Sequence, residues 1–277
     1  MKQDKKHLYS EIIEVLRKPV MSVLPGHLSF FLLLSGIPLI LIFVSIASAF
    51  KLSYDAILEF ITLSLPASTS KLILPLFTEV NIDFSITFLA ITAIYLASRG
   101  TKAIIVAANN IYGGAKNIIQ EIIKSLIITI LLIALFIFII LILILGEMIL
   151  RQISILTNIS FISNNLITLI NFLRWPLALF VIFFLIKIIY TLTPNKKISS
   201  KTVNKGSFFT TIGWLIVTFI YSFYVTNYAS YNTYFGSASN IVILMIWIYM
   251  ISQIFVIGMV INSIEDKKMN DKLETNR

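Results

Sequence analysis

Apolar residues fall in long runs along this chain, and charge is confined to the short stretches between them. The runs lie at about 28–50, 84–98, 126–145, 173–192, 208–228 and 241–261. Most approach or reach the roughly 20 residues that cross a ~30 Å hydrocarbon core. The pattern predicts an all-α, polytopic membrane protein with six transmembrane helices and short amphipathic helices at both faces.

The stretches between the runs differ in kind. Residues 1–27 form an amphipathic segment in which Leu8, Ile12, Val15 and Leu16 repeat at helical spacing among Lys5, Lys6, Glu11, Glu14, Arg17 and Lys18. This predicts a short helix lying on the membrane surface. Pro25-Gly26 reads as a break before the first span, and Ser35-Gly36 with Pro38 as a kink within it. Residues 51–82 carry Asp55, Glu59, Glu79, Pro66 and Pro75, and suggest two short helices on the outer face. Arg99-Gly100 reads as the end of the second span, with a polar-flanked helix following it to Asn109-Asn110-Ile111-Tyr112-Gly113-Gly114. The third span is almost entirely Ile, Leu and Phe, so it is expected to face lipid. The segment 263–277 is charged, lacks an apolar period and is expected to be disordered.

Composition agrees with lipid as the solvent. The chain of 277 residues is 58% hydrophobic and 13% charged, against about 45–50% and about 25% for soluble domains. The absence of cysteine removes disulfides, thiolate metal sites and cysteine nucleophiles. Histidine occurs only at His7 and His27, and neither a metal-ligand spacing, a Gly-rich phosphate loop nor a nucleophile elbow is present. No metal or cofactor is therefore expected, nor an enzyme. The first apolar run is too long for a signal-peptide core and is expected to stay as an anchor. The net charge of +9 could suggest nucleic acid, but 18 of the 22 Lys and Arg fall in alternate connecting segments and termini. By the positive-inside rule, both termini are then cytoplasmic. The expected partners are membrane lipids rather than nucleic acid. A homo-oligomer or an unidentified membrane partner is left open.

Candidate functional residues gather at the uncharged loop between the last two spans. Tyr224, Asn227, Tyr231, Asn232, Tyr234 and Gly236 crowd there. One reading is an aromatic belt at the interface. The other is a polar cavity lining, since Tyr224, Asn227, Tyr228 and Tyr231 share one helix face and Asn inside a span usually faces the bundle interior. Arg174 beside Trp175 fits the outer headgroup level, or else an intramembrane charge. Arg99 fits a helix end, or a partner for a phosphate. Asn109, Asn110 and Tyr112 complete the candidates, together with Gln253, which with Asn262 is expected to hydrogen-bond between helices at about 0.6 kcal/mol each. Gly206, Gly213 and Gly258 fit close helix contact better than ligand binding. Asn110-x-Tyr112-x-Gly114 and Asn232-x-Tyr234-x-Gly236 share a pattern that an inverted repeat of two three-span halves would produce. Coincidence would produce it as well.

Several of these motifs occur in an order that carries a resemblance. They are Gly26-His27-Leu28-Ser29 through Pro38, Ser98-Arg99-Gly100, Ala108-Asn109-Asn110-Ile111-Tyr112, Pro194-Asn195, Gly206 with Trp214, Tyr224-Val225, Tyr231-Asn232, Tyr234-Phe235-Gly236-Ser237, Trp247-Ile248-Tyr249 and Gly258 with Asn262. Together they resemble the YihY/BrkB-like integral membrane proteins, some of which carry a ribonuclease BN label. Gly26 departs from the expected Ala and Phe31 from the usual Tyr. The resemblance implies a six-helix bacterial inner-membrane protein of unsettled activity. RNA hydrolysis fits the residues poorly, because it needs several carboxylate or His ligands around an open site. Two readings follow: a transporter or lipid translocator in envelope physiology, or a non-transporting scaffold that docks a partner. A polar crevice between the first, fifth and sixth helices would favour the first, and a solidly packed bundle there the second.

Overall fold

The computed structural model describes residues 11–15, 17, 21–35, 86–114, 117–134, 176, 179–228 and 237–275. Every regular element among them is helical. In hydrocarbon a backbone can satisfy its own N–H and C=O groups only as a helix or a closed barrel, which is why runs rich in β-branched and aromatic residues still form helices. After a helical turn at 11–15 come α1 (Met21–Ser35), α2 (Ile86–Tyr112), α3 (118–134), α4 (Leu179–Leu192), α5 (Asn204–Tyr228) and α6 (Ser237–Thr275). Among the described residues, α5 and α6 are long and apolar enough to cross a membrane, with mean hydropathies of 1.7 and 2.3.

α5 and α6 form an antiparallel pair whose register can be read from side-chain bonds. Lys205 meets Glu265 at 2.8 Å, and the Gly206 N–H donates to Asn262 Oδ1 at 2.7 Å. Trp214 Nε1 donates to the Ile251 carbonyl at 3.0 Å, and Trp247 Nε1 to Thr218 Oγ1 at 3.3 Å. The α6 partner number falls as the α5 number rises. Between these bonds the backbones touch: a Cβ at Gly206 would overlap the Gly258 carbonyl, and one at Gly258 would overlap Thr210 Oγ1. Small residues let the two helices approach this closely, as expected from the sequence.

α2 and α3 form a second antiparallel pair. Thr101 Oγ1 and Thr129 Oγ1 lie 2.7 Å apart, and Asn109 Nδ2 donates to Glu121 Oε1 at 3.0 Å. Gly113, at φ +73°, ends α2 in the left-handed conformation that glycine adopts without steric cost. The N–H groups of Gly113 and Gly114 both reach the Asn109 carbonyl at 3.0 Å. Asn117 then caps α3, its Oδ1 accepting from the N–H groups of Ile119 and Gln120 at 3.2 Å.

The core lies where these pairs meet α1 and α4. It holds Leu28, Ala107, Ala108, Ile186, Tyr190, Val203, Val256, Met259 and Val260. Ile12 and Val15 pack against it from the first helical turn, so this part of the amphipathic segment is seated on the bundle.

Three local expectations are corrected. The Pro25-Gly26 break lies inside α1, where Leu24 and Leu28 on either side pack into the core and offset the bond that the proline forfeits at the Met21 carbonyl. Arg99-Gly100 does not end a helix, since α2 continues unbroken to Tyr112. The segment expected to be disordered after Ser263 instead continues α6 to Thr275, with no proline or glycine to stop it and with ion pairs at Glu265 and Asp266. Pro38 and its kink, the pair of helices expected over 51–82 and the loop between the last two spans lie outside the described residues.

Candidate functional site

Polar side chains collect where α2 ends, α3 begins and the α4–α5 connection passes. Asn109 is buried at the centre. Its Nδ2 donates to Glu121 Oε1, and its Oδ1 accepts from the Asn195 N–H at 2.8 Å. One amide therefore ties α2, α3 and the 193–203 connection together. Lys124 adds a second tie. It lies one turn after Glu121, and its Nζ donates to the Pro194 carbonyl at 2.6 Å and to Asn195 Oδ1 at 3.3 Å. Burial lowers the Lys124 ammonium from its ordinary value. Glu121 itself is buried, with the Asn109 amide as its hydrogen-bond donor.

A parallel arrangement holds the far side of the same connection to α6. Asp266, also buried, pairs with Lys196 at 3.1 Å, accepts from Thr202 Oγ1 at 3.4 Å and from Asn270 Nδ2 at 3.4 Å. Tyr112 is buried, and its hydroxyl has no partner among the described residues. Desolvation, and secondarily the Asp266 charge, push its phenol well above the ordinary value. Deeper in the bundle, Tyr190 Oη donates to the Phe255 carbonyl and lies 2.7 Å from Thr210 Oγ1, joining α4, α5 and α6. The Asn262 amide nitrogen and the Ser252 hydroxyl are buried without a partner among the described residues.

Beside the Asn109–Lys124 junction a groove of about 380 Å³ opens between α3 and the end of α4. Lys124, Asn195 and Gln120 form its polar end, and Ile123, Ile127 and Leu192 its apolar walls. The α3 face beside it is exposed and apolar at Ile119, Ile122, Ile123, Leu126, Ile127, Ile130 and Leu131.

The structure thus brings together two of the residues singled out from the sequence, Asn109 and Tyr112. Asn110, next to them, is only partly buried. Arg99 is an exposed mid-helix residue whose guanidinium hydrogen-bonds Tyr95 Oη and sits 5.1 Å from that ring's centre. Asn227 is exposed and donates to the Phe223 carbonyl of its own helix at 2.8 Å, and Tyr224 is also exposed. Gln253 makes no hydrogen bond among the described residues, whereas Asn262 makes the expected interhelical one. Tyr231, Asn232, Tyr234, Gly236 and Arg174 lie outside the described residues, as does the second half of the repeat pattern. Glu121, Lys124, Asp266, Tyr190 and Thr210 were not singled out from the sequence, and Asn195 only within the Pro194-Asn195 motif. The three-residue step from Glu121 to Lys124, immediately ahead of an apolar run, was the available signal for the first two.

Known proteins with related sequences place the chain in a family. The family described as Virulence factor BrkB matches residues 12–277. The ribonuclease-like protein YfkH of Bacillus subtilis is 30% identical over 248 residues, covering 88% of this chain and 89% of that protein. A UPF0761 membrane protein of Vibrio campbellii is 33% identical over 107 residues, covering 38% of this chain and 34% of that protein. No solved structure matches. With nearly the whole length matched, the chain belongs to the BrkB family of membrane proteins.

Proposed function

We propose that the protein is a passive membrane transporter, a lipid translocator serving the bacterial envelope, inserted by six spans with both termini in the cytoplasm. The groove beside Lys124 carries this reading. It is apolar along α3 and α4 and polar at one end, and it opens beside a helix face that lipid would cover. A site graded in this way suits an amphiphile better than a water-soluble substrate. Coupled uptake usually places an acidic residue inside a span. The two carboxylates buried here, Glu121 and Asp266, lie outside the apolar runs and already have amide, hydroxyl or ammonium partners.

An RNA-hydrolysing enzyme is the weaker reading, although one relative's name is ribonuclease-like. Such a site would gather several carboxylates or histidines around one metal, and among the described residues no three of them gather. The specific competitor is a non-transporting scaffold. It draws support from the α5–α6 seam, where backbone contact at Gly206 and Gly258 leaves no crevice, and from the charged extension of α6. Comparing lipids and metabolites of cells with and without the protein tests the proposal. Translocation predicts that an amphiphile accumulates or changes leaflet in its absence. A change confined to water-soluble metabolites, or no change in any lipid, would remove it.

A further inference from the structure

The polar end of the groove has a chemistry of its own. Two donor directions of the Lys124 ammonium are taken by the Pro194 carbonyl and Asn195 Oδ1, and an ammonium has three. The Gln120 amide lies one turn earlier on α3, lining the same groove. Glu121, the carboxylate nearest in sequence, is buried and bonded to Asn109 rather than lining the groove. The remaining walls are apolar: Ile123, Ile127 and Leu192 are partly open and Ile128 is buried. They continue into the exposed apolar face of α3. A phosphate would meet a cation and an amide here, and its acyl chains would lie against isoleucine.

We infer that this groove binds the headgroup of an anionic phospholipid of the inner leaflet, with Lys124 meeting the phosphate, Gln120 flanking it and the acyl chains running along α3. The assignment names a substrate class for the groove and rests on the translocator reading for its physiological meaning. The binding itself can be tested without transport. Lipid is the indicated occupant because, among the described residues, the groove runs on into the exposed apolar face of α3 in a chain of a membrane family.

The test is native mass spectrometry of the full chain in detergent, titrated with phosphatidylglycerol or phosphatidylcholine of the same acyl chains. Phosphatidylglycerol should bind more tightly. Lys124→Gln should weaken phosphatidylglycerol alone by about fivefold, the effect of one lysine near an anionic headgroup, while Lys124→Arg keeps the preference. Because Lys124→Gln also loosens the 193–203 connection, Gln120→Glu is the second variant. It disturbs no side-chain bond among the described residues and should weaken phosphatidylglycerol by placing a carboxylate at the groove. Ile127→Trp should exclude both lipids. Equal binding of the two lipids, or an unchanged preference in Gln120→Glu, overturns the assignment. Displacement by free glycerol phosphate at the lipid's own concentration overturns it in favour of a soluble anion site. Selective binding without any lipid movement in vesicles would keep the site and remove the translocator reading. Movement without headgroup preference would do the reverse.

Discussion

Single residues decide how closely this bundle can pack. A Cβ at Gly206 would overlap the Gly258 carbonyl and the Asn262 side chain, and one at Gly258 would overlap Thr210 Oγ1 and crowd Tyr190 Oη. A Cβ at Gly213 would meet mainly the Ile254 Cγ2 methyl at 2.7 Å, a side-chain group that can turn aside. Gly206→Ala and Gly258→Ala should therefore each cost about 1–3 kcal/mol or more, and Gly213→Ala distinctly less. Thermal unfolding in detergent reads this order, and a larger loss at Gly213 would contradict it. Tyr112 supplies a pH prediction. Its folded value lies above the ordinary value of 10.0 because burial and Asp266 disfavour the phenolate. The neutral phenol thus contributes stability that is fully present below pH 10.0 and is lost at higher pH, where the unfolded chain ionises first. The melting temperature of the native protein should fall more steeply above that pH than that of Tyr112→Phe. At neutral pH the Phe variant, which removes a buried hydroxyl with no partner among the described residues, should match or exceed the native protein in stability.

At the scale of elements, helix existence was legible and helix ends were not. The apolar runs at 208–228 and 241–261 lie within α5 and α6, which extend beyond them to Asn204 and to Ser237 and Thr275. Glycines expected at close contacts lie in the α5–α6 seam. Pro25, Gly100 and the charged residues after Ser263 were read as interruptions, yet each sits inside a helix. Local breaker signals are worth about 1 kcal/mol for Gly and about 3 for an interior Pro, and contacts with neighbouring elements can outweigh them. The polar junction was half legible. Asn109 and Tyr112 stood out as polar residues beside Gly113. The residues around them, Glu121 and Asn195 bonded to Asn109 and the Asp266 charge near Tyr112, come from three further segments, a placement that helical periodicity alone does not specify. Asn109→Ala leaves Glu121 buried without its donor and frees the Asn195 N–H, so a loss of about 1–3 kcal/mol is expected. Hydrogen exchange should then rise across 193–203. By contrast, breaking the exposed Lys205–Glu265 pair should change stability by at most about 1 kcal/mol, and a larger effect would show that the α6 extension is anchored there.

For the whole molecule, the charge pattern and the lateral groove jointly define the account. Eighteen of the 22 basic residues assigned to one side predict that Ser200→Cys is labelled from the cytoplasm and Phe235→Cys only from outside, on a chain with no native cysteine to interfere. The reverse labelling would invert the orientation and move the groove to the other leaflet. The proposed movement of lipid between leaflets is read most directly with purified full-length chain in vesicles containing phosphatidylglycerol labelled on its acyl chain. Dithionite, which does not cross the bilayer, is added outside. Translocation predicts that fluorescence falls well beyond the outer-leaflet fraction, and that Ile127→Trp restores the protein-free level. Bleaching that stops at the outer-leaflet fraction with the native protein present would contradict the claim.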